Sequence, residues 1–122
     1  MRLDALVALG RRGEALALLD ALAAKGFAGL PRPDELRVLR GDLLLEQGRF
    51  TEALASFGAP GPDAAPTLRE RALYGEAVAR ARLGDAQGSR RDFARYLQAF
   101  PEGRHAKEAR EALAPAGAKQ PL

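Results

Sequence analysis

The chain contains no cysteine and no tryptophan, and a single histidine. The missing cysteines remove disulfides, thiolate nucleophiles and cysteine-based zinc or iron–sulfur sites in one step. They leave the compartment open, since a cysteine-free chain is at home in reducing and oxidising surroundings alike. Nowhere is there an apolar run of the roughly 18 or more residues that a membrane-spanning helix needs, so no membrane insertion is expected. The opening Met1-Arg-Leu-Asp-Ala-Leu-Val-Ala-Leu9 has no secretory cleavage pattern, and Asp4 with the early helical spacing reads as the start of a mature domain. β-Branched residues are few, and the apolar content is nearly all Ala and Leu, which are good helix formers. With 47% hydrophobic and 29% charged residues over 122 positions, the composition is that of one globular domain or a short array, and its class is all-α.

Charge is nearly balanced. The net charge of +3 resides in the second half, because residues 1–60 carry eight basic and eight acidic side chains while residues 61–122 carry eleven and eight. Arginine far outnumbers lysine, a bias that fits carboxylate or phosphate recognition but follows equally from a GC-rich genome.

What the chain does have is a repeated turn. Gly48-Arg-Phe-Thr-Glu-Ala-Leu-Ala-Ser-Phe57 shares its skeleton, a glycine with Glu-Ala-Leu four residues on, with Gly10-Arg-Arg-Gly-Glu-Ala-Leu16. A weaker copy, Gly84-Asp-Ala-Gln-Gly-Ser-Arg-Arg-Asp-Phe93, keeps the glycine and the aromatic. The glycine spacings of 38 and 36 residues lie in the range of helical-hairpin repeats.

In chain order, Leu3, Leu6 and Leu9 form a stripe that stops at Gly10 after about two turns, so the first hairpin reads as truncated. A helix follows from about Arg12 to Lys25, with Ala15, Leu19, Leu22 and Ala23 on one face. Gly26, Gly29, Pro31 and Pro33 mark a loop. Asp34 and Glu35 open the next helix, buried along Leu36, Leu39 and Leu43, and the turn at Gly48 leads into Thr51 to Phe57. Residues 58–66 are dense in glycine and proline and read as a flexible loop. Thr67-Leu-Arg-Glu70 has the form of a capping box for a helix running to about Leu83. Asp85 caps the next helix, whose Phe93, Tyr96, Leu97 and Phe100 share a face, and Pro101 stops it. A last amphipathic helix carries Ala106, Ala109 and Leu113, and residues 115–122 read as a disordered tail after a single domain spanning 1–114.

The pattern resembles the tetratricopeptide family. Gly41, Leu44, Gly48, Phe50, Ala53 and Phe57 fall on that family's small, large, glycine, aromatic, alanine and aromatic positions, and Ala77, Phe93 and Pro101 match in the next unit. Arg37, Arg40 and Arg80 depart from it, standing where large apolar residues are usual. The third unit also admits two registers, because Gly75 follows Gly41 by 34 residues but then leaves two extra residues before Gly84. The resemblance implies a short right-handed α-solenoid of about three hairpins, the first truncated, closed by a C-terminal capping helix. The run from Tyr96 to Arg110 looks like the repeat ends of bacterial envelope proteins, such as the Tol–Pal coordinator, barrel-assembly lipoproteins and FecR-associated segments. That implies a bacterial setting, with the periplasm or envelope slightly favoured over the cytoplasm.

No motif carries catalysis. His105, lone and flanked by Arg104 and Lys107, is a poor metal ligand and reads as solvated or locally hydrogen-bonded. Asp34 and Glu35 are helix-start residues, Ser56 and Ser89 have no base near them in sequence, and the glycines form no phosphate-binding loop. No enzyme activity, cofactor or metal is expected. The resemblance implies instead a protein-interaction module, a scaffold or adaptor that binds a peptide or partner helix in a concave groove lined by Val38, Asp42, Leu45, Arg71, Tyr74, Val78 and Arg82. A competing possibility makes Tyr74 and Val78 plain core. The alternative function is a homodimerising structural domain joined through the N-terminal hairpin at Leu3, Leu6 and Leu9. A basic nucleic-acid-binding domain ranks third, since most arginines have acidic neighbours at helical spacing and nucleic acid is not an expected partner.

Overall fold

The computed structural model describes residues 11–27, 29–58 and 64–114. The Leu3, Leu6, Leu9 stripe, most of the 58–66 loop and the 115–122 tail lie outside the described residues. Within them the chain is all-helical, with no strand: α1 (Arg12–Ala23), α2 (Pro33–Glu46), α3 (Phe50–Phe57), α4 (Pro66–Arg82), α5 (Ala86–Ala99) and α6 (Ala106–Leu113).

The repeated glycine is a repeated helix stop. At Gly48, φ is 75°; its N–H donates to Leu45 O and the Arg49 N–H reaches back to Leu44 O at 2.9 Å. At Gly84, φ is 83°; its N–H donates to Ala81 O and the Asp85 N–H reaches back to Arg80 O, again at 2.9 Å. These paired bonds are the Schellman closure, which needs a left-handed residue at the glycine and satisfies the last carbonyls of the helix. A side chain there would add steric cost in the left-handed region. Because Arg49 and Asp85 also begin the following helices, each turn is short enough to fold α3 back on α2 and α5 back on α4. Asp85 completes its turn by accepting from Gly88 N at 2.9 Å, as the sequence indicates.

Helices adjacent in sequence pack on one another throughout, apart from the gap in the described chain between α3 and α4, and there too the two helices touch. In addition α2 packs against α4. One core gathers Leu16, Leu19, Phe27, Val38, Leu43, Leu44 and Phe57 with Leu68 and Ala72, and a second gathers Ala77, Phe93, Tyr96, Ala106 and Ala109.

Between α2 and α4 lies a close contact built on two glycines. The Phe57 ring is fully buried, and a Cβ on Gly41 would stand 2.6 Å from its Cε1, one on Gly75 2.5 Å from its Cε2. The ring of α3 is thus held between two bare backbones 34 residues apart.

The capping box read at Thr67–Glu70 is corrected. Pro66 occupies the first helical position and Ala65 precedes it, with no side-chain cap. The helix therefore starts two residues earlier than a Thr67 cap requires, placing Glu70 in the second turn, where its carboxylate is beyond the N-terminal amides. It bonds elsewhere, as described below. His105 is the N-cap residue of α6 and offers no side-chain cap.

Two of the three arginines at apolar positions, Arg40 and Arg80, reach across helices. Arg40 of α2 bonds Asp20 of α1 at 2.8 Å, Arg80 of α4 bonds Asp92 of α5, and Arg37 lies over the Phe27 ring at 5.6 Å while bonding Asp34 at 3.0 Å. Asp92 is only 3% exposed, and its ion pair explains how a carboxylate is accommodated there. Their methylene stems cover core edges while the heads pair.

Gly75→Ala tests the clamp. Alanine gains about 1 kcal/mol of helix propensity, but overpacking costs about 1–3 kcal/mol, and the ring cannot retreat without meeting Gly41. A net loss of about 1–2 kcal/mol in urea unfolding is expected. Gly13→Ala, whose Cβ would meet only Gln47 Nε2 at 3.9 Å, should be neutral or stabilising; equal behaviour of the two variants would refute the clamp.

Candidate functional site

The seven groove residues divide when placed in the fold. Val38 is 1% exposed and belongs to the first core, where it offers a partner no surface. Leu45, Tyr74 and Val78 are half-buried: Leu45 packs on the first core, and Tyr74 and Val78 on the second, so each is core on one side and open on the other. Asp42 is half-buried, while Arg71 and Arg82 are exposed. Asp42 of α2 and Arg71 of α4 form an ion pair that joins the two helices. Arg71, Tyr74, Val78 and Arg82 follow one another at helical spacing and form a single stripe of α4.

His105 completes this face. Its ring stacks on Tyr74, with centroids 4.0 Å apart and planes 8° from parallel, and its Nδ1 stands 3.7 Å from Glu108 Oε2. Tyr74 also meets Phe93 edge-on at 5.9 Å. The stack lies on a ring already held by the second core. Sequence spacing gives no sign of it, because Tyr74 and His105 are 31 residues apart on elements that no motif connects.

A second arrangement missed from the sequence explains why His105 is so placed. Tyr96 is fully buried, and its hydroxyl donates to Glu70 Oε2 and accepts from the His105 N–H at 2.8 Å. The same Glu70 oxygen accepts from the Arg104 N–H at 2.6 Å. A Cβ on Gly103 would stand 2.6 Å from both the Glu70 oxygen and the Tyr96 hydroxyl, so the chain between α5 and α6 approaches them as bare backbone. Burial, and then the hydrogen bond to Glu70, push the Tyr96 hydroxyl up to about 12, and it stays a neutral donor at any ordinary pH.

The electrostatics of the face are those of partial desolvation. Burial raises the Asp42 carboxyl above its usual range despite Arg71, with Glu46 adding to the rise. Burial and the Glu108 charge raise the Tyr74 hydroxyl. Ser56 and Ser89, the remaining hydroxyls considered in sequence, bond the carbonyls of Arg37 at 2.7 Å and Ala77 at 3.0 Å. They tie α3 to α2 and α5 to α4. No cluster of three metal-ligating side chains and no helix long and apolar enough to cross a membrane occurs among the described residues.

An open cleft continues the face toward the helix starts. It has a volume of about 330 Å3 between Leu36 and Leu39 of α2 and Thr67, Leu68 and Arg71 of α4. Chemically the surface combines the half-buried Leu45, Tyr74 and Val78 with one ion pair across it and an aromatic stack at its end. Comparison with known proteins returns nothing: no family model, no curated protein and no solved structure matches this chain.

Two measurements probe this arrangement. Tyr96→Phe leaves the His105 N–H without its acceptor and Glu70 with one donor fewer; both are partly solvated, so a loss of about 1–2 kcal/mol is expected in urea unfolding. An unchanged midpoint would show that water replaces the hydroxyl. Asp42 has the opposite character from a stabilising carboxylate. Its pKa is raised on folding, so its ionised form weakens the fold at neutral pH, and that penalty disappears as pH falls through the folded pKa toward about 4. Asp42→Asn, which keeps an acceptor for Arg71, should be at least as stable as the wild type at pH 7, with the difference closing toward pH 4. Greater wild-type stability at pH 7 would contradict the sign.

Proposed function

We propose that the chain is a non-catalytic protein-interaction module, built as a short right-handed array of tetratricopeptide-like hairpins that receives a peptide or partner helix along the α2–α4 face. The observation that carries this reading is Phe57 between Gly41 and Gly75. Equivalent small residues one repeat apart grip the aromatic of the intervening second helix, so successive first helices stand side by side. Such an arrangement leaves a surface made of the first helices of each hairpin, the general use of helical repeats. The Asp42–Arg71 pair, the half-buried Leu45, Tyr74 and Val78, and the His105 stack lie on that surface. On this reading α6 is the capping helix. Val38 supports the floor from below and does not touch the ligand.

The test is capture of partners from lysate by wild type, by Arg71→Glu, and by Arg91→Glu as a control on the solvent face of α5. A partner retained by Arg91→Glu but weakened about thirtyfold or more by Arg71→Glu, as at an interface hot spot, supports the α2–α4 face. Equal retention by both variants would place binding elsewhere.

A further inference from the structure

We propose that the cleft between α4 and α5, on the side of α4 away from Tyr74, is a second docking site, and that it takes an acidic peptide segment carrying a large apolar side chain. It is independent of the α2–α4 face and stands whether or not that face binds.

The charge on this side of the molecule comes from α5. Between Ala86 and Ala99 it holds three arginines, Arg90, Arg91 and Arg95, and one carboxylate, Asp92. All three arginines are exposed, whereas Asp92 is buried against Arg80 of α4. The carboxylate that sequence spacing assigns to a balanced, salt-bridged surface is therefore turned inward, and the solvent face of α5 is left basic. Arg90 bends to the carbonyl of Leu113 at 3.1 Å, leaving Arg91 and Arg95 as the outward charges. Arg95 reaches Asp92 only at 3.6 Å, with 62% of its side chain exposed.

Across from Arg95, Arg69 of α4 is exposed, and between them lies a cleft of about 270 Å3 whose walls are Leu73, Ala99 and Phe100. A second opening of about 340 Å3, sharing Leu73, Arg95 and Ala99 and adding Gln98, extends it along α5. The two together form one trough, with cations on both rims and an apolar wall.

Glu76 lies in the floor. Burial, and then the nearby Asp92 charge, raise its carboxyl, while Arg80 and Arg95 hold it down. Flanked by these cations it leaves the trough with a net positive charge. A basic segment would meet Arg69 and Arg95 before reaching it. An acidic segment meets complementary rims, can donate a backbone N–H to Glu76, and buries its apolar side chain against Phe100 and Leu73. Planar guanidinium forks at the rims suit carboxylates in two-point contact. Nucleic acid is disfavoured by the apolar wall and the floor carboxylate, since phosphate binding needs a row of cations and gains nothing from either.

The experiment is selection of a random peptide display library on the full chain, followed by anisotropy measurements on the enriched peptide with wild type, Arg69→Glu, Arg95→Gln and Arg71→Glu. Arg69 takes part in no ion pair among the described residues and its variant should fold normally, which circular dichroism would check; it decides the matter if Arg95→Gln loosens Asp92. The expected result is enrichment of net-acidic peptides with at least one large apolar residue, bound about tenfold or more weakly by Arg69→Glu and unchanged by Arg71→Glu. Enrichment of basic or uncharged peptides, no enrichment, or equal binding by Arg69→Glu would overturn the proposal. Loss on Arg71→Glu instead would assign the peptide to the α2–α4 face. Tighter binding of a single-stranded oligonucleotide, lost on Arg69→Glu and steeply weakened by salt, would make the trough a nucleic-acid site.

Discussion

The Phe57 ring between Gly41 and Gly75 is the constraint from which the described fold follows. An aromatic side chain fully removed from water contributes roughly 1.5–3 kcal/mol, and here it does so only because two helices present no side chain at the points of approach. Glycine inside a helix costs about 1 kcal/mol relative to alanine. Two such positions are tolerated because the close contact they permit sets the spacing of α2, α3 and α4 at once. Leu43, Leu44 and Leu68 then fill the volume around the ring.

Polar contacts specify how the remaining helices sit on that centre. Arg40 with Asp20, Arg12 with Glu46 at 2.9 Å, Arg71 with Asp42 and Arg80 with Asp92 each link different helices. Exposed pairs among them contribute little to stability singly. Their value is in register: a helix that slides by one residue loses its partner and, at Asp92, leaves a buried carboxylate uncompensated, which costs several kcal/mol. The Glu70–Tyr96 hydrogen bond has the same function at the C-terminal end, where α6 is short and its packing area small.

Much of this was legible in the residues themselves. Gly48 and Gly84 mark their turns because only a left-handed residue closes those helices, and Asp85 marks a cap because its side chain needs only the local backbone. Local chemistry of this kind is written in local sequence. Tertiary partners are not. Thr67 and Glu70 have the spacing of a capping box, but Pro66 moved the helix start and released Glu70 to bind Tyr96 and Arg104. Asp92, charged and flanked by arginines, reads as solvated, and only the approach of Arg80 accounts for its burial. Val38, assigned to the groove by family register, is buried in the first core, a cluster that also takes in Phe27 from the loop after α1.

The ambiguity between Gly75 and Ala77 as the small residue of the third unit resolves into two separate duties. At about 100° per residue the two positions lie nearly opposite on α4. Gly75 faces Phe57 of α3, while the carbonyl of Ala77 receives the Ser89 hydroxyl of α5. A helix packed against the preceding hairpin on one side and its own partner on the other needs small residues on both, and the two additional residues before Gly84 provide them. Burial of those two sides leaves two others open. Arg71, Tyr74, Val78 and Arg82 occupy one; Arg69, Leu73 and Glu76 occupy the other, about 180° away. Sequence neighbours such as Leu73 and Tyr74 therefore belong to different faces, the first to the trough with α5 and the second to the stack with His105. The same two-residue offset that blurs the repeat in sequence separates the Gly75 contact with α3 from the Ala77 contact with α5.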